Sequence, residues 1–247
     1  KSSSVLNSSL IIFFAISGVL VALLGIGTFS QVNSITSSLE VSFGLSPQLI
    51  SILLAILVAV IIFGGIETIS KVSTKVVPFM AILYILATIV ILITNADQLI
   101  PALKLVVSSA LTPSAAVGGF AGATVKEAIQ RGIARGVFSN ESGLGSAPIA
   151  AAAAKSENAV EQGLISMTGT FIDTIIICSL TGLSILVTGQ WTVEGLEGAP
   201  LTQAAFATVF GNPGTIALTI SLVLFAFTTI LGWSYYGERC IEFLFGT

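Results

Sequence analysis

Histidine is absent from the 247 residues, and charged side chains make up only 9% of them. The first absence removes the commonest general base and metal ligand. The second excludes a water-soluble domain, which carries roughly 25% charged residues to keep its surface solvated. Cysteine occurs twice, at Cys178 and Cys240. Each lies in an apolar run without zinc-type spacing, so both read as reduced thiols buried in a membrane. The net charge is −3 and no basic cluster stands out, which argues against a nucleic-acid partner. No nucleophile elbow, phosphate-binding glycine loop or acid pair occurs, so no catalytic residue is assigned and an enzyme is disfavoured. The first residue is Lys1 rather than Met, no signal-type region precedes the first apolar run, and the last residues remain apolar. The expectation is an internal piece of a longer polypeptide.

What is abundant is apolar sequence: 54% hydrophobic residues and a mean hydropathy of +1.04. A bilayer core needs about 20 apolar residues per helix. Leu10 to Ser30 supplies a first span, and residues 2–39 hold no charge. Gln48 to Ile66 supplies a second, after the turn-forming Gly44-Leu45-Ser46-Pro47. Val76 to Thr94 is the third, ended by Asn95, Ala96 and Asp97. Glu161 to Thr188 carries a single internal charge, Asp173. Thr215 to Tyr236 follows the breaker Gly211-Asn212-Pro213-Gly214.

Between the third and the last two spans, Pro113 to Lys155 behaves differently. An amphipathic piece, Gly118 to Gly136, bears Lys126, Glu127, Arg131 and Arg135. Gly143, Gly145 and Pro148 then fall inside a segment long enough for one crossing, which predicts a span interrupted between about Phe138 and Gly145. Lysine and arginine placement supports that crossing. Lys71 and Lys75, Lys155, and Arg239 mark inner loops, whereas Gln190 to Pro200 holds Glu194 and Glu197 but no cation. Six crossings then alternate from an inner Lys1. The expected fold class is an all-α polytopic membrane protein, with residues 1–247 forming a single, partial transmembrane domain.

An interrupted helix at mid-membrane leaves backbone groups unpaired. Such backbone is tolerated only where it lines a cavity or binds something. Secondary transporters use half-helix termini of this kind for charged substrate groups and coupling ions. Phe138 to Pro148 fits that description, with Ser139, Asn140 and Glu141 in the run, against the plainer reading of a packing kink or a surface loop. Thr228 and Thr229, with Trp233 one turn after Thr229, form a second polar cluster. Hydroxyls suit a hard cation, but membrane threonines also bond to their own backbone, and spacing leaves both readings open. Asp173 and Glu141 are ionisable groups at membrane depth and call for a partner. Arg131 and Arg135, on one face with Glu127, are the candidates, and Gln31 and Asn33 lie near the outer end of the first span.

The run Val137-Phe138-Ser139-Asn140-Glu141-Ser142-Gly143-Leu144-Gly145-Ser146-Ala147-Pro148-Ile149-Ala150 resembles the broken helix of the sodium:alanine (alanine or glycine:cation) symporter family. Ala116 to Thr124, Gly169-Thr170-Phe171-Ile172-Asp173-Thr174, and Phe227 to Cys240 are similar to further motifs of that family. The resemblance covers essentially the whole chain. It implies the LeuT-type inverted-repeat fold, with this chain resembling the third to eighth core helices and the broken helix at about 137–149. The family's first broken helix and its second, glycine- and tryptophan-rich helix are not in this sequence. The implied function is sodium-coupled symport of a small neutral amino acid, alanine or glycine, across the cell membrane, with Na+ as co-transported ion. Substrate contacts are implied at Phe138, Ser139, Asn140, Gly143, Thr229 and Trp233, and sodium ligands at Thr228 and Thr229. A related symporter of another substrate is the alternative. An ion channel would instead require a continuous polar face along several spans.

Overall fold

In the computed structural model the backbone is described for residues 2–25, 27–111 and 125–246. Within these, the side chains of 2–8, 110–111, 125–128, 131 and 135 are not among those described. The described residues are helical almost throughout. Helices α1 (Ser2–Leu24), α2 (Phe29–Phe43), α3 (Pro47–Ile62), α4 (Gly65–Thr94), α5 (Ala96–Leu111), α6 (Val125–Asn140) and α7 (Ala147–Ala151) come first. Helix α8 (Ala159–Thr170) runs through a π-helical segment (Phe171–Cys178) into α9 (Ser179–Val187), and α10 (Gly198–Phe245) closes the chain.

Among the described residues, four helical stretches are long and apolar enough to cross a membrane: Ser9–Phe43, Gly65–Thr94, Ala159–Val187 and Gly198–Phe245. The expected second span is realised as α3, a shorter apolar helix of 16 residues. The fourth expected crossing is only partly covered, because its first part and the Ala116 to Thr124 motif lie outside the described residues. Large apolar side chains such as Phe13, Phe63 and Ile93 are exposed along these helices, as a bilayer solvent allows and water does not.

The local signals explain most boundaries. Gly44 ends α2 in the left-handed conformation at φ 66, its N–H bonding to Glu40 O. Ser46 then caps α3 by accepting from Leu49 N at 3.2 Å, with Pro47 in the first turn. Asn158 caps α8 in the same way, accepting from Glu161 N at 2.9 Å.

One expectation needs correction, and two boundaries hold. The first span does not end near Ser30: after a short interruption around Gly25 to Thr28, helix resumes and runs to Phe43. The third span ends where expected, with α4 stopping at Thr94 before Asn95, and a further helix, α5, begins at Ala96 and packs against α6 and α9. Asp97 in its first turn suits the positive end of the helix dipole. The expected breaker before Thr215 is present: Gly198–Phe245 is two helices meeting at a kink. Gly211, at φ 60 and ψ −147, is the non-helical residue between them.

By contacts the chain divides into two compact units, one of residues 1–84 with 215–247 and one of residues 85–214. In the first, Ile35, Met80, Phe227, Ile230 and Leu231 are buried, and Tyr84 meets Phe225 edge-on with ring centroids 5.9 Å apart. The hydroxyls of Ser42 and Thr219 bond at 2.6 Å, joining α2 to α10. In the second unit, Ile91, Ala102, Val187, Ala205 and Phe206 are buried.

Candidate functional site

The interruption expected in the fourth crossing is present, shifted towards the C-terminus. Helix α6 continues through Phe138 and Ser139 to Asn140, and α7 begins only at Ala147. Glu141 adopts φ 56, uncommon for a residue with a side chain, and Gly143 and Gly145 have φ 89 and 86. Three left-handed residues in five turn the chain out of the helix. The loop is then tied by its own polar groups. Ser146 Oγ donates to Glu141 Oε2 at 2.7 Å, and Ser142 N donates to Asn140 Oδ1 at 2.9 Å. Leu144 N donates to Glu141 O at 3.2 Å.

The end of α6 is also bonded to the π-helical segment. Ser139 Oγ donates to Asp173 Oδ2 at 2.7 Å and lies 3.4 Å from Cys178 Sγ. Asn140 Nδ2 donates to Thr174 Oγ1 at 2.9 Å, and Thr174 Oγ1 lies 3.4 Å from Asp173 Oδ2. Asn140 thus fastens two things at once, the loop through its oxygen and the next span through its nitrogen. Asp173, Thr174 and Cys178 of the π-helical segment all reach the end of α6. Single π turns inside α-helices recur at functional sites.

Asp173 has the polar partner that its depth demands, and it is the hydroxyl of Ser139. It forms no ion pair among the described residues. Of the cationic partners considered, the side chains of Arg131 and Arg135 lie outside the described residues. Glu141 finds its partner in Ser146. Phe138 points elsewhere: it is 41% exposed and lines an open cavity of about 570 Å³ with Gln130, Ile133, Ala134, Val137 and Leu144. Gln130 is the sole polar side chain in that lining. Cys178 lies on the protein surface within the apolar stretch Ala159–Val187, Cys240 is buried in the protein, and neither forms a disulfide.

Thr228, Thr229 and Trp233 belong to the other compact unit. Thr228 Oγ1 and Thr229 Oγ1 both donate to Phe225 O, at 2.9 and 3.0 Å. This is the local backbone bonding that threonine hydroxyls in apolar helices commonly make. It leaves oxygen lone pairs on both hydroxyls. Trp233 lies against Gly27, where an added Cβ would run into the indole ring, and meets Tyr236 edge-on at 5.4 Å. Gln31 and Asn33 sit on α2. No group of three or more His, Cys, Asp or Glu side chains able to hold a metal is found among the described residues.

Sequence reasoning missed Thr174, Ser146 and Cys178 as members of this network. A signal existed for two of them. Thr174 and Cys178 are four apart in an otherwise apolar run beside Asp173, a spacing that shares one helix face.

Comparison with known proteins agrees with the motifs. The profile of the Sodium:alanine symporter family matches residues 3–247. A Haemophilus influenzae protein named Uncharacterized transporter is 52% identical over 234 residues, covering 94% of this chain and 51% of that protein. The Sodium/alanine symporter AgcS of Methanococcus maripaludis is 50% identical over 229 residues, covering 92% of this chain and 49% of that protein. The Probable sodium/glutamine symporter GlnT of Bacillus subtilis is 38% identical over 214 residues, covering 87% and 44%. The chain spans about half the length of the curated relatives it matches.

Proposed function

The chain belongs to the sodium:alanine symporter family, and from that premise we propose that the intact protein couples sodium entry to uptake of a small neutral amino acid across the cell membrane. A multi-pass membrane chain of a transporter family has a transport role rather than a catalytic one. The observation that carries the reading is the interruption between α6 and α7, where polar side chains gather inside a membrane-compatible segment. Unwound backbone at such depth is the feature on which secondary transporters build substrate and ion sites.

In this reading the whole chain is part of one transmembrane domain with the LeuT-type inverted-repeat fold. Phe138, Ser139, Asn140 and Gly143 at the break, and Trp233 and Thr229 on α10, are the residues assigned to substrate contact. Thr228 and Thr229 offer sodium the hydroxyl oxygens that their bonds to Phe225 O leave free. Alanine or glycine is the proposed substrate, supported by the family match and by 50% identity to a relative named for alanine.

The test is uptake of labelled alanine by the intact protein in sodium and in potassium media, with glycine and glutamine as competitors. Saturable uptake that requires sodium, inhibited by glycine more than by glutamine, is expected. Uptake indifferent to sodium would overturn the coupling, and preferential inhibition by glutamine would overturn the substrate.

A further inference from the structure

Asp173 presents a problem that the sodium ligands at Thr228 and Thr229 leave unsolved. It lies in the middle of a 29-residue apolar stretch, Ala159–Val187, that is long enough to span a membrane. Both hydrogen bonds it accepts, from Ser139 at 2.7 Å and from Thr174 at 3.4 Å, arrive on the same oxygen, Oδ2. Its other oxygen, Oδ1, takes no hydrogen bond among the described residues. Hydroxyl bonds lower the cost of a carboxylate's charge at that depth but do not cancel the charge. The surroundings are rich in oxygen: Ser139 Oγ, Thr174 Oγ1 and the Asn140 amide oxygen stand on the same cluster. One carboxylate with two hydroxyls and an amide carbonyl is the ligand chemistry of a hard cation, and the single negative charge matches a monovalent one.

We propose that Asp173, with Ser139 and Thr174, forms a monovalent-cation site between the end of α6 and the π-helical segment, which the coupling ion occupies. The inference rests on the sodium-coupled reading above and adds to it a site on different helices. The cation supplies the missing neutralising charge, with Oδ1 as its anionic ligand and the Ser139 and Thr174 hydroxyls turning their lone pairs towards it. The π-helical winding has a use in this account. It places Asp173 and Thr174 together against α6, where one ion can bridge the broken span to its neighbour. Because Ser139 and Asn140 sit in the last turn before the break, filling the site fixes the end of α6 that the proposed substrate contacts occupy.

The experiment uses the purified intact protein, with its thermal midpoint measured against NaCl at constant ionic strength in KCl, without amino acid. Wild type rises with sodium. Asp173→Asn keeps the shape and removes the charge, so its midpoint in KCl stays near wild type while the apparent sodium affinity weakens at least tenfold. Ser139→Ala, which keeps the carboxylate, weakens it by a smaller factor and serves as the second variant should Asp173→Asn fail to fold. Arg135 stands one turn before Ser139 on α6 and offers the competing explanation, an ion pair. If Arg135→Gln alone abolishes the sodium response and the double variant with Asp173→Asn restores it, the pair is structural and the proposal falls. An unchanged sodium response in Asp173→Asn also overturns it, including the case where only the alanine-induced rise is lost, which would assign Asp173 to the substrate ammonium. A wild-type protein with no response to sodium, in midpoint or in uptake, would instead remove the sodium-coupled reading and this site with it.

Discussion

The polar residues at the end of α6 and those in the middle of α10 are the same kinds of side chain, yet they are satisfied in opposite ways. At α6, Ser139, Asn140 and Glu141 bond to side chains 34 residues away or across the break, at Asp173, Thr174 and Ser146. At α10, Thr228, Thr229 and Ser234 each bond to a carbonyl three or four residues back on their own helix. The first arrangement ties separate elements together, so altering one member disturbs several segments. The second is closed within one turn, so a hydroxyl is removed there without disturbing its neighbours. A ligand that engages the first network must exchange bonds with it. A ligand that engages the second adds to bonds already made.

The sharpest way to break this contrast is at Asn140, whose amide makes a bond to each side of the interruption. Asn140→Ala removes the acceptor of Ser142 N and the donor that ties Thr174 Oγ1 to α6, leaving Thr174 its bond to Asp173. Alanine uptake at matched membrane abundance should fall about tenfold, as for the loss of about 1.4 kcal/mol of interaction at the break. Wild-type uptake by this variant would show that the bonds across the break are incidental.

Next in size is Gly27, where the α1–α2 interruption admits the Trp233 ring. A Cβ there would collide with the indole, and overpacking of this kind costs about 1–3 kcal/mol. Gly27→Ala should lower the thermal midpoint by several degrees. Gly232→Ala, in the middle of α10 with open space around the new Cβ, should leave it unchanged or raise it slightly, because alanine favours helix over glycine by about 1 kcal/mol. Equal effects of the two would mean that Trp233 does not rest on Gly27.

Smaller again is Gly143 in the loop itself. Its Cβ would meet nothing within 4 Å, so the cost of Gly143→Ala comes from its φ of 89 alone, about 1–2 kcal/mol for a left-handed residue with a side chain. Gly136→Ala, with the same open space but a position inside α6, should be neutral or stabilising. Thermal midpoints of the two variants, compared with wild type, check the conformational argument without touching any hydrogen bond.

These comparisons also mark what the sequence made legible. The interruption after α6 was readable because Gly143, Gly145 and Pro148 fall together in an apolar segment, and the α2–α3 turn because Gly44, Ser46 and Pro47 each have a distinct local role. The break around Gly25 to Thr28 was not, since two glycines in an apolar run are compatible with a continuous span. Helix α5 was missed because Asn95 and Asp97 serve equally as loop residues or as a helix start. The pairing of Ser139 with Asp173 depends on the π-helical winding of residues 171–178, for which there is no composition signature. The Ser139 and Thr229 environments differ for a related reason: whether a hydroxyl bonds near or far depends on what packs beside it, which spacing along one chain does not encode.

The last test bears on Thr229, where the structural effect should be smallest and the functional one most informative. Thr229→Val keeps the β-branched shape that fits the helix and removes only the oxygen. The carbonyl of Phe225 accepts from Thr228 as well as from Thr229, so it keeps a side-chain donor after the substitution. The hydroxyl that is lost had its partner in the same turn, so no distant group is orphaned. Stability should therefore change by less than about 0.5 kcal/mol, as for surface substitutions away from special features, and the thermal midpoint in KCl should match wild type. Against that flat background, a weakening of the apparent sodium affinity in uptake, expected at about tenfold, reports a lost ligand and not a damaged fold. A normal sodium response would return Thr229 to the role its hydrogen bond already describes, a helix-internal hydroxyl with no ion to hold. The same measurement on Ser139→Ala lacks this clarity, because its bonds to Asp173 and its neighbourhood with Cys178 make fold and ligand effects arrive together. In a locally closed site, shape-preserving removal of one oxygen separates binding from stability. In the cross-linked site at α6, that separation requires a pair of variants.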